Sequence, residues 1–113
     1  MAGITLEIED WRDEIDRLDE QLVKLLNARS QCAIELGRLK RELGLPIYSP
    51  DREREVIAHV TGINHGPLER DAVRRLFERI IDESRSLERA TVEKETNFRA
   101  KNAKARKVAK KRS

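Results

Sequence analysis

Four polar side chains stand in or beside the apolar stripes of segments that otherwise have the pattern of amphipathic helices: Arg29, Glu53, Ser84 and Glu88. Burying an unpaired charge costs several kcal/mol, so a folded chain pairs such groups with one another or presents them to a polar ligand. Both a structural ion-pair network and a site for a charged small molecule are consistent with this pattern.

Two cations share one helical face. Lys40 follows Arg29 by eleven residues, which on an α-helix is a rotation of within about 20° and a rise of roughly 16 Å. The two side chains can therefore contact opposite ends of one small anion. Arg12 lies about 25 Å from Arg29 and about 100° around the axis of the same helix. It could reach that anion only from an antiparallel helix of a second subunit, and taken alone it is an ordinary solvated surface charge.

Other kinds of reactive site are missing from the sequence. His59, His65 and Cys32 do not have the spacing of a metal site, and no Gly-rich phosphate loop is present. No Ser/His/Asp set is suggested, because neither His lies on a strong apolar stripe. The remaining cations, carboxyls and hydroxyl suit the binding of a small dianion, or a reaction that needs electrostatic stabilisation but no nucleophile.

Three helices must position these residues, and no strand pattern is found. The first is predicted over about residues 6–43, the second from Ser49-Pro50-Asp51, and the third from about Leu68 into the nineties. Gly44-Leu45-Pro46 ends the first helix, and a turn at residues 64–67 precedes the third. The first stripe consists of Trp11, Ile15, Leu18, Leu22, Leu25, Cys32, Leu36, Leu39 and Leu43. Three long helices cannot bury all of their apolar faces against one another within a single chain. We therefore expect an all-α homodimer.

The composition supports an all-helical fold and also indicates a separate basic region at residues 98–113. Charged residues make up 40% of the 113 residues and aromatic residues 4%, which suits long solvated helices. Residues 98–113 contain eight Lys or Arg and no acid, so the remaining residues, with 16 basic and 21 acidic side chains, carry a net charge of −5. We expect a globular domain over residues 1–97 and a flexible basic tail over 98–113.

The expected location is the cytoplasm. No window is apolar enough to cross a membrane, and Glu7, Glu9 and Asp10 stand where a signal peptide would carry basic residues ahead of an apolar run. The single Cys32 excludes an intrachain disulfide. It is expected to be a small buried apolar residue.

The charged positions and their flanking residues resemble the AroQ-type chorismate mutases, the all-helical class II enzymes. The resemblance lies in WRDEIDRLD at residues 11–19, LLNAR at 25–29, GRLK at 37–40, DRERE at 51–55 and RLFERIIDES at 75–84. It covers roughly residues 5–92, in order and with ordinary loop lengths. It implies a monofunctional isomerase of aromatic amino acid biosynthesis that converts chorismate to prephenate by a [3,3] rearrangement, in an intertwined homodimer with no cofactor, no metal and no covalent intermediate.

The resemblance also implies a role for each site residue. Arg29 and the second subunit's Arg12 hold the two substrate carboxylates, and Ser84 assists at one of them. Lys40 and Glu88 act at the ether oxygen, while Glu53 takes the ring hydroxyl. Arg52 lines the site, and Ser49 lies near the hydroxyl, where the family often has Asp, and contributes largely through its backbone. The catalytic set is thus Lys40, Glu88, Arg29 and Glu53.

Two positions depart from the family pattern. Glu88 stands where well-known bacterial members have Gln, and a carboxylate there would repel the charge that develops on the ether oxygen. We therefore hypothesise that Glu88 must be neutral for full activity, so that activity improves toward acid pH. Arg85 stands where an apolar residue is expected, and it either points to solvent or supplies an extra cation.

Alternative functions come from different classes. An isochorismate pyruvate lyase-like enzyme could use the same scaffold and the same kind of Arg/Lys pocket, although the intact Glu53 favours the mutase. The basic tail could instead bind nucleic acid or another protein, but it has one aromatic residue, Phe98, and no groove-reading motif, so nucleic acid is not favoured. The chain is too short for a fused dehydratase, dehydrogenase or ligand-sensing domain, so any feedback control would come from a partner enzyme of the shikimate pathway.

Overall fold

The structure is a computed structural model that describes the backbone of residues 2–112 and the side chains of residues 7–105. Three helices follow one another: α1 over Ala2–Leu43, α2 over Pro50–Gly62 and α3 over Arg70–Arg112. No strand occurs among the residues with described backbone. The predicted all-α class with three helices is confirmed. The chain forms two compact units, residues 1–32 and residues 33–113, and α1 supplies residues to both.

The end of α1 and the start of α2 lie where the local sequence signals predicted them. Gly44 takes a φ of +68° just beyond α1, a conformation that glycine adopts at no steric cost. The N–H of Leu45 then donates to the carbonyl of Lys40 at 2.7 Å, which satisfies one of the last free carbonyls of the helix. Ser49 occupies the N-cap of α2 and Pro50 its first turn, but the Ser49 hydroxyl makes no capping hydrogen bond.

The third helix is longer than the periodicity predicted. We expected it to end in the nineties, whereas its backbone continues to Arg112. The apolar period fades after Asn97, but the residues beyond it are mainly Ala, Lys and Arg, with no Gly or Pro. These are strong helix formers, so intrinsic propensity continues the helix where the buried stripe has ended.

Within residues 33–113, α2 packs against α3. The buried apolar side chains are Ala33, Val60, Val73 and Ile81, with Thr61 and Glu88 as the buried polar residues among those described. Thr61 satisfies its hydroxyl by donating to the carbonyl of Ile57 at 2.7 Å. This is a small core for the length of chain, which leaves other apolar side chains of the predicted stripes uncovered.

Residues 1–32 expose most of the predicted apolar seam. Trp11 is 70% exposed and Leu25 is 67% exposed. Cys32 is also exposed, so the expectation that it is buried is wrong for the single chain. The seam has the helical spacing that a packed interface requires, but in this unit no described element covers it. A single copy of the chain therefore leaves a long apolar face open to solvent.

Candidate functional site

The predicted Lys40 and Glu88 form a buried ion pair. Lys40 Nζ lies 3.0 Å from Glu88 Oε2, and it also donates to the carbonyl of Ile47 at 3.0 Å. Glu88 is 7% exposed. An ammonium group has three N–H donors, so these two contacts leave a third donor for a ligand.

The close approach of α1 to α3 at Gly37 accounts for the short distance between Lys40 and Glu88. Gly37 lies one turn before Lys40 on α1, and a Cβ built on it would come within 3.3 Å of the Glu88 Cα and carbonyl oxygen. The missing side chain lets the backbone of α1 lie directly against α3 at Glu88. One turn later, Lys40 is then close enough to reach the Glu88 carboxylate.

The predicted Glu53 pairs with Arg85, a residue whose role the sequence pattern left open. Arg85 Nη2 lies 2.6 Å from Glu53 Oε1 and 3.0 Å from Asp82 Oδ1. The Arg85 guanidinium carbon stands 4.9 Å from the centre of the Tyr48 ring, within the range of a cation–π contact. Of the two alternatives for Arg85, the structure thus shows a cation placed at the site and directed toward Glu53.

The two pairs meet on one turn of α3. Arg85 and Glu88 are three residues apart, a rise of about 4.5 Å along the axis. Arg85 contacts α2 through Glu53, while Glu88 contacts the last turn of α1 through Lys40. Ser84 lies on this same turn, with its hydroxyl 3.0 Å from the carbonyl of Ile80. Three helices therefore bring ionic side chains to one segment of α3.

The other predicted site residues are not members of these two pairs. Arg52 pairs with Glu55 at 3.3 Å on an exposed face of α2. Ser49 contributes its carbonyl oxygen, which accepts from the N–H of Glu53 at 3.1 Å. Arg12 and Arg29 belong to residues 1–32, where Arg12 pairs with Glu9 at 3.0 Å and Arg29 is half-buried.

An open groove lies beside the Glu53–Arg85 pair. It has a volume of about 700 Å³ between α2 and α3, and Tyr48, Glu53 and Arg85 are part of its lining. Its floor includes the apolar side chains of Ile57 and Ile81. Lys40 and Glu88 do not line it, so the groove and the buried ion pair are adjacent features that the turn at residues 84–88 connects.

The described residues contain neither a cluster of metal ligands nor a membrane-spanning helix. No group of three or more His, Cys, Asp or Glu side chains is placed to hold a metal ion there. Nor does any helix in that part of the chain combine the length and apolar character that crossing a membrane requires.

A sequence profile described as chorismate mutase type II matches residues 11–89. The chain belongs to this family. The match contains all eight residues that the resemblance assigned to the site, and it ends one residue after Glu88. The region beyond it begins on α3 and includes the basic residues 98–113.

Known members of the chorismate mutase type II family align over most of the chain. A bifunctional chorismate mutase/prephenate dehydratase of Aquifex aeolicus is 36% identical over 87 residues, which cover 74% of this chain but only 24% of that protein. The chain thus spans about a quarter of the length of such relatives. A chorismate mutase of Methanocaldococcus jannaschii is 26% identical over 92 residues, which cover 80% of this chain and 92% of that protein.

Solved structures of chorismate mutases share the fold. One from Thermus thermophilus superposes with a TM-score of 0.73 at 41% identity and covers 74% of this chain and 94% of that one. One from Helicobacter pylori, determined in complex with prephenate, has a TM-score of 0.70 at 28% identity, with 76% and 93% covered. The predicted family and helical fold are therefore confirmed.

Proposed function

We propose that this protein is a chorismate mutase, an isomerase that converts chorismate to prephenate. The observation that carries the proposal is the buried Lys40–Glu88 pair, at 3.0 Å, one turn of α3 from the Glu53–Arg85 pair in a member of the chorismate mutase type II family. The reaction breaks one C–O ether bond as one C–C bond forms. It needs no nucleophile and no external electron donor, and the residues of the site offer electrostatic groups.

The proposed mechanism assigns each group to a part of the substrate. Arg29 and Arg12 of the partner subunit hold the two carboxylates, with Ser84 at one of them. Clamping the substrate in the reactive conformation removes part of the barrier as orientation entropy. The remaining N–H of Lys40 donates to the ether oxygen as that oxygen gains negative charge, and this contact favours the transition state over the ground state.

The remaining groups hold the ring. Glu53 accepts the ring hydroxyl, with Arg52 and Ser49 at the margin of the site. Arg52 pairs with Glu55, and this exposed contact is weak enough to exchange for a substrate contact. The assignment of these three residues stays a prediction.

A homodimer is part of this proposal. The seam of α1 in residues 1–32, with Trp11 and Leu25 mostly in solvent, is an exposed apolar surface of a single copy. The open groove between α2 and α3 is lined by both apolar and charged side chains. A second copy of the chain would cover them, and the resemblance implies that this copy supplies Arg12. The location in the cytoplasm, the separate basic tail and a regulatory partner enzyme stay predictions.

The first experiment follows the loss of chorismate absorbance with the purified chain at pH 7.5, next to the Arg29→Ala variant. Arg17→Ala is the matched control, because Arg17 lies on the same helix and pairs with Glu14 on an exposed face. We expect turnover to prephenate that Arg29→Ala abolishes and Arg17→Ala retains. Absence of turnover by the wild-type chain would contradict the proposal, and isochorismate would then be tested as substrate.

A second experiment tests the hypothesis about Glu88. A neutral Glu88 can donate to the ether oxygen, whereas a carboxylate repels the developing charge. A neutral group at position 88 should therefore speed turnover, so we expect Glu88→Gln to turn over chorismate faster than the wild type at pH 7.5. Slower turnover by Glu88→Gln would contradict the hypothesis about Glu88 while leaving the proposed reaction intact.

A further inference from the structure

The side chain of Arg85 connects three parts of the fold. It starts on α3, contacts Glu53 of α2 at 2.6 Å, and lies over the ring of Tyr48 in the loop before α2. Its other ionic partner, Asp82, is on its own helix at 3.0 Å and is largely exposed. The guanidinium group is thus held on one side by a ring and on another by the carboxylate that we assign to the substrate hydroxyl.

These contacts restrict the Glu53 carboxylate more than a simple surface ion pair would. A guanidinium group is planar and rigid, and stacking on an aromatic face fixes its plane. A carboxylate bound to a fixed guanidinium loses most of its freedom to rotate, because the bond is charge-assisted and directional. Arg85 contacts one carboxylate oxygen of Glu53, Oε1, so this contact does not use the other oxygen, Oε2.

One hydrogen-bonding group of Arg85 is left unsatisfied. The Nε of Arg85 is buried and has no hydrogen-bond partner among the described residues. Buried N–H groups are nearly always satisfied in native proteins. Arg85 therefore reaches Glu53 through Nη2 and not through Nε, while its guanidinium carbon lies 4.9 Å from the centre of the Tyr48 ring.

We infer that Arg85 is a positioning residue: stacked on Tyr48, it holds the Glu53 carboxylate in the orientation that accepts the ring hydroxyl of the substrate. The inference rests on the proposed function. It assigns a role to two residues, Arg85 and Tyr48, that act through Glu53 and do not contact the reacting bonds.

The test is a double-mutant cycle on kcat and KM with chorismate, using Arg85→Gln, Glu53→Gln and the double variant. We expect Arg85→Gln to lower kcat/KM about tenfold. This is less than the roughly hundredfold loss of rate that a displacement of a catalytic group by about 1 Å can cause. In the Glu53→Gln background the same substitution should change kcat/KM less than about twofold, because residues that act as a unit are not additive. Arg79→Gln is the matched control, since Arg79 pairs with Glu83 on an exposed face of α3, and it should leave kcat/KM unchanged.

Two further measurements separate positioning from general damage. A chorismate analogue that lacks the ring hydroxyl should lose little rate on Arg85→Gln, because Glu53 has nothing to accept from it. Tyr48→Leu removes the stacking platform and should lower kcat/KM for chorismate, and Tyr48→Phe, which keeps a ring, should recover most of it. Thermal melting of each variant shows that it is folded, and the Tyr48 variants test the proposal even if Arg85→Gln is unstable.

The outcomes distinguish this proposal from the proposed function. Additive effects of Arg85→Gln and Glu53→Gln, or equal losses with chorismate and with the analogue, would overturn the positioning role while the enzyme still turns over chorismate. Absence of turnover by the wild-type chain would overturn the proposed function and this inference together. A nonadditive pair and a loss confined to the hydroxylated substrate support the inference.

Discussion

At the scale of single residues, the structure gives Lys40 two tasks. Its contact with Glu88 neutralises a carboxylate that is 7% exposed, and its contact with the Ile47 carbonyl at 3.0 Å directs the ammonium group. Leaving one partner of a buried pair without the other is strongly destabilising, because the remaining charge is desolvated and uncompensated. We therefore expect stability and the proposed catalysis both to depend on Lys40, but through different N–H groups.

Substitution of Lys40 can separate these two tasks. Lys40→Met retains much of the side chain's length but leaves the Glu88 carboxylate unpaired, so we expect a loss of about 3 kcal/mol in the free energy of unfolding. Turnover should fall at least about a hundredfold, as for the removal of an oxyanion donor. In the double variant Lys40→Met/Glu88→Gln, stability should recover and turnover should not. Urea unfolding and the chorismate assay measure the two quantities, and a parallel recovery of both would contradict the separation.

At the scale of helices, the crossing of α1 and α3 depends on Gly37. This residue is buried, and its missing side chain is where the two backbones meet, since a Cβ there would lie 3.3 Å from Glu88 backbone atoms. Glycine inside a helix weakens the helix compared with alanine. Its use at this position has a clear physical reason, because any Cβ would push against backbone atoms, which cannot rotate away.

Gly37→Ala should therefore destabilise the chain by about 1–3 kcal/mol, as overpacking does, and should lower turnover by moving Lys40 away from Glu88. Gly62→Ala is the matched control, because a Cβ there meets no atom within 4 Å. That variant should be neutral or up to about 1 kcal/mol more stable. Equal effects of the two substitutions on the free energy of unfolding would show that the contact at Gly37 is not tight.

A second link between α1 and α3 lies at Glu95, beyond the segment that matches the family profile. Its carboxylate lies 2.6 Å from Arg38 Nε and 2.8 Å from Arg41 Nη1. The hydrogen bond from Arg38, with a further one from Arg41, lowers the pKa of Glu95 below its usual value of 4.5. Such a pair stabilises the fold fully above the unfolded pKa, and the contribution is lost as the pH falls through the lower folded pKa.

Glu95→Gln should accordingly melt at a lower temperature than the wild-type chain at pH 7. In acid below the lowered folded pKa of Glu95, the difference should vanish. The exposed Glu93 on the same helix supplies a control, Glu93→Gln, whose melting temperature should follow that of the wild type. Differential scanning calorimetry at the two pH values makes the comparison. A difference that persists unchanged in acid would show that Glu95 acts through packing and not through its charge.

At the scale of the whole molecule, the exposed seam of α1 and the proposed use of Arg12 in trans point to the same assembly. If each site takes Arg29 from one subunit and Arg12 from the other, Arg12→Ala and Arg29→Ala should each abolish turnover. In a heterodimer of the two variants one site carries both defects and the other carries neither. Mixing and refolding the two inactive proteins should then restore about a quarter of the wild-type activity, since about half of the dimers are mixed.

Sedimentation of the wild-type chain measures the assembly itself, and the mixing experiment measures which subunit supplies the arginine. Activity that does not return on mixing, in a protein that sediments as a dimer, would contradict the supply of Arg12 by the second subunit. A monomer that is fully active would contradict the homodimer altogether.

The sequence by itself determined the three helices and the family, and it predicted the candidate site residues. Periodicity, Gly44, Pro50 and the turn before α3 are local signals, so they predict helices and their ends without knowledge of the fold. Charged interruptions of apolar stripes also marked Glu53 and Glu88, because a buried charge needs a partner wherever the helix packs. Propensity continued α3 past the point at which the apolar period ended, since a helix can extend without a core to cover it.

Only the tertiary structure decided which charges pair. The partners Lys40 and Glu88 are 48 residues apart, and Glu53 and Arg85 are 32 apart, so no local spacing connects them. The contact of Tyr48 with Arg85 could not be predicted, because an aromatic residue in a loop has no periodic signal. The sequence allowed Arg85 either to point to solvent or to lie at the site, and its contact with Glu53 exists only in the folded chain. Gly37 shows the same limit. A Cβ at this position would lie 3.3 Å from backbone atoms of α3, and this restriction arises only when the helices pack together.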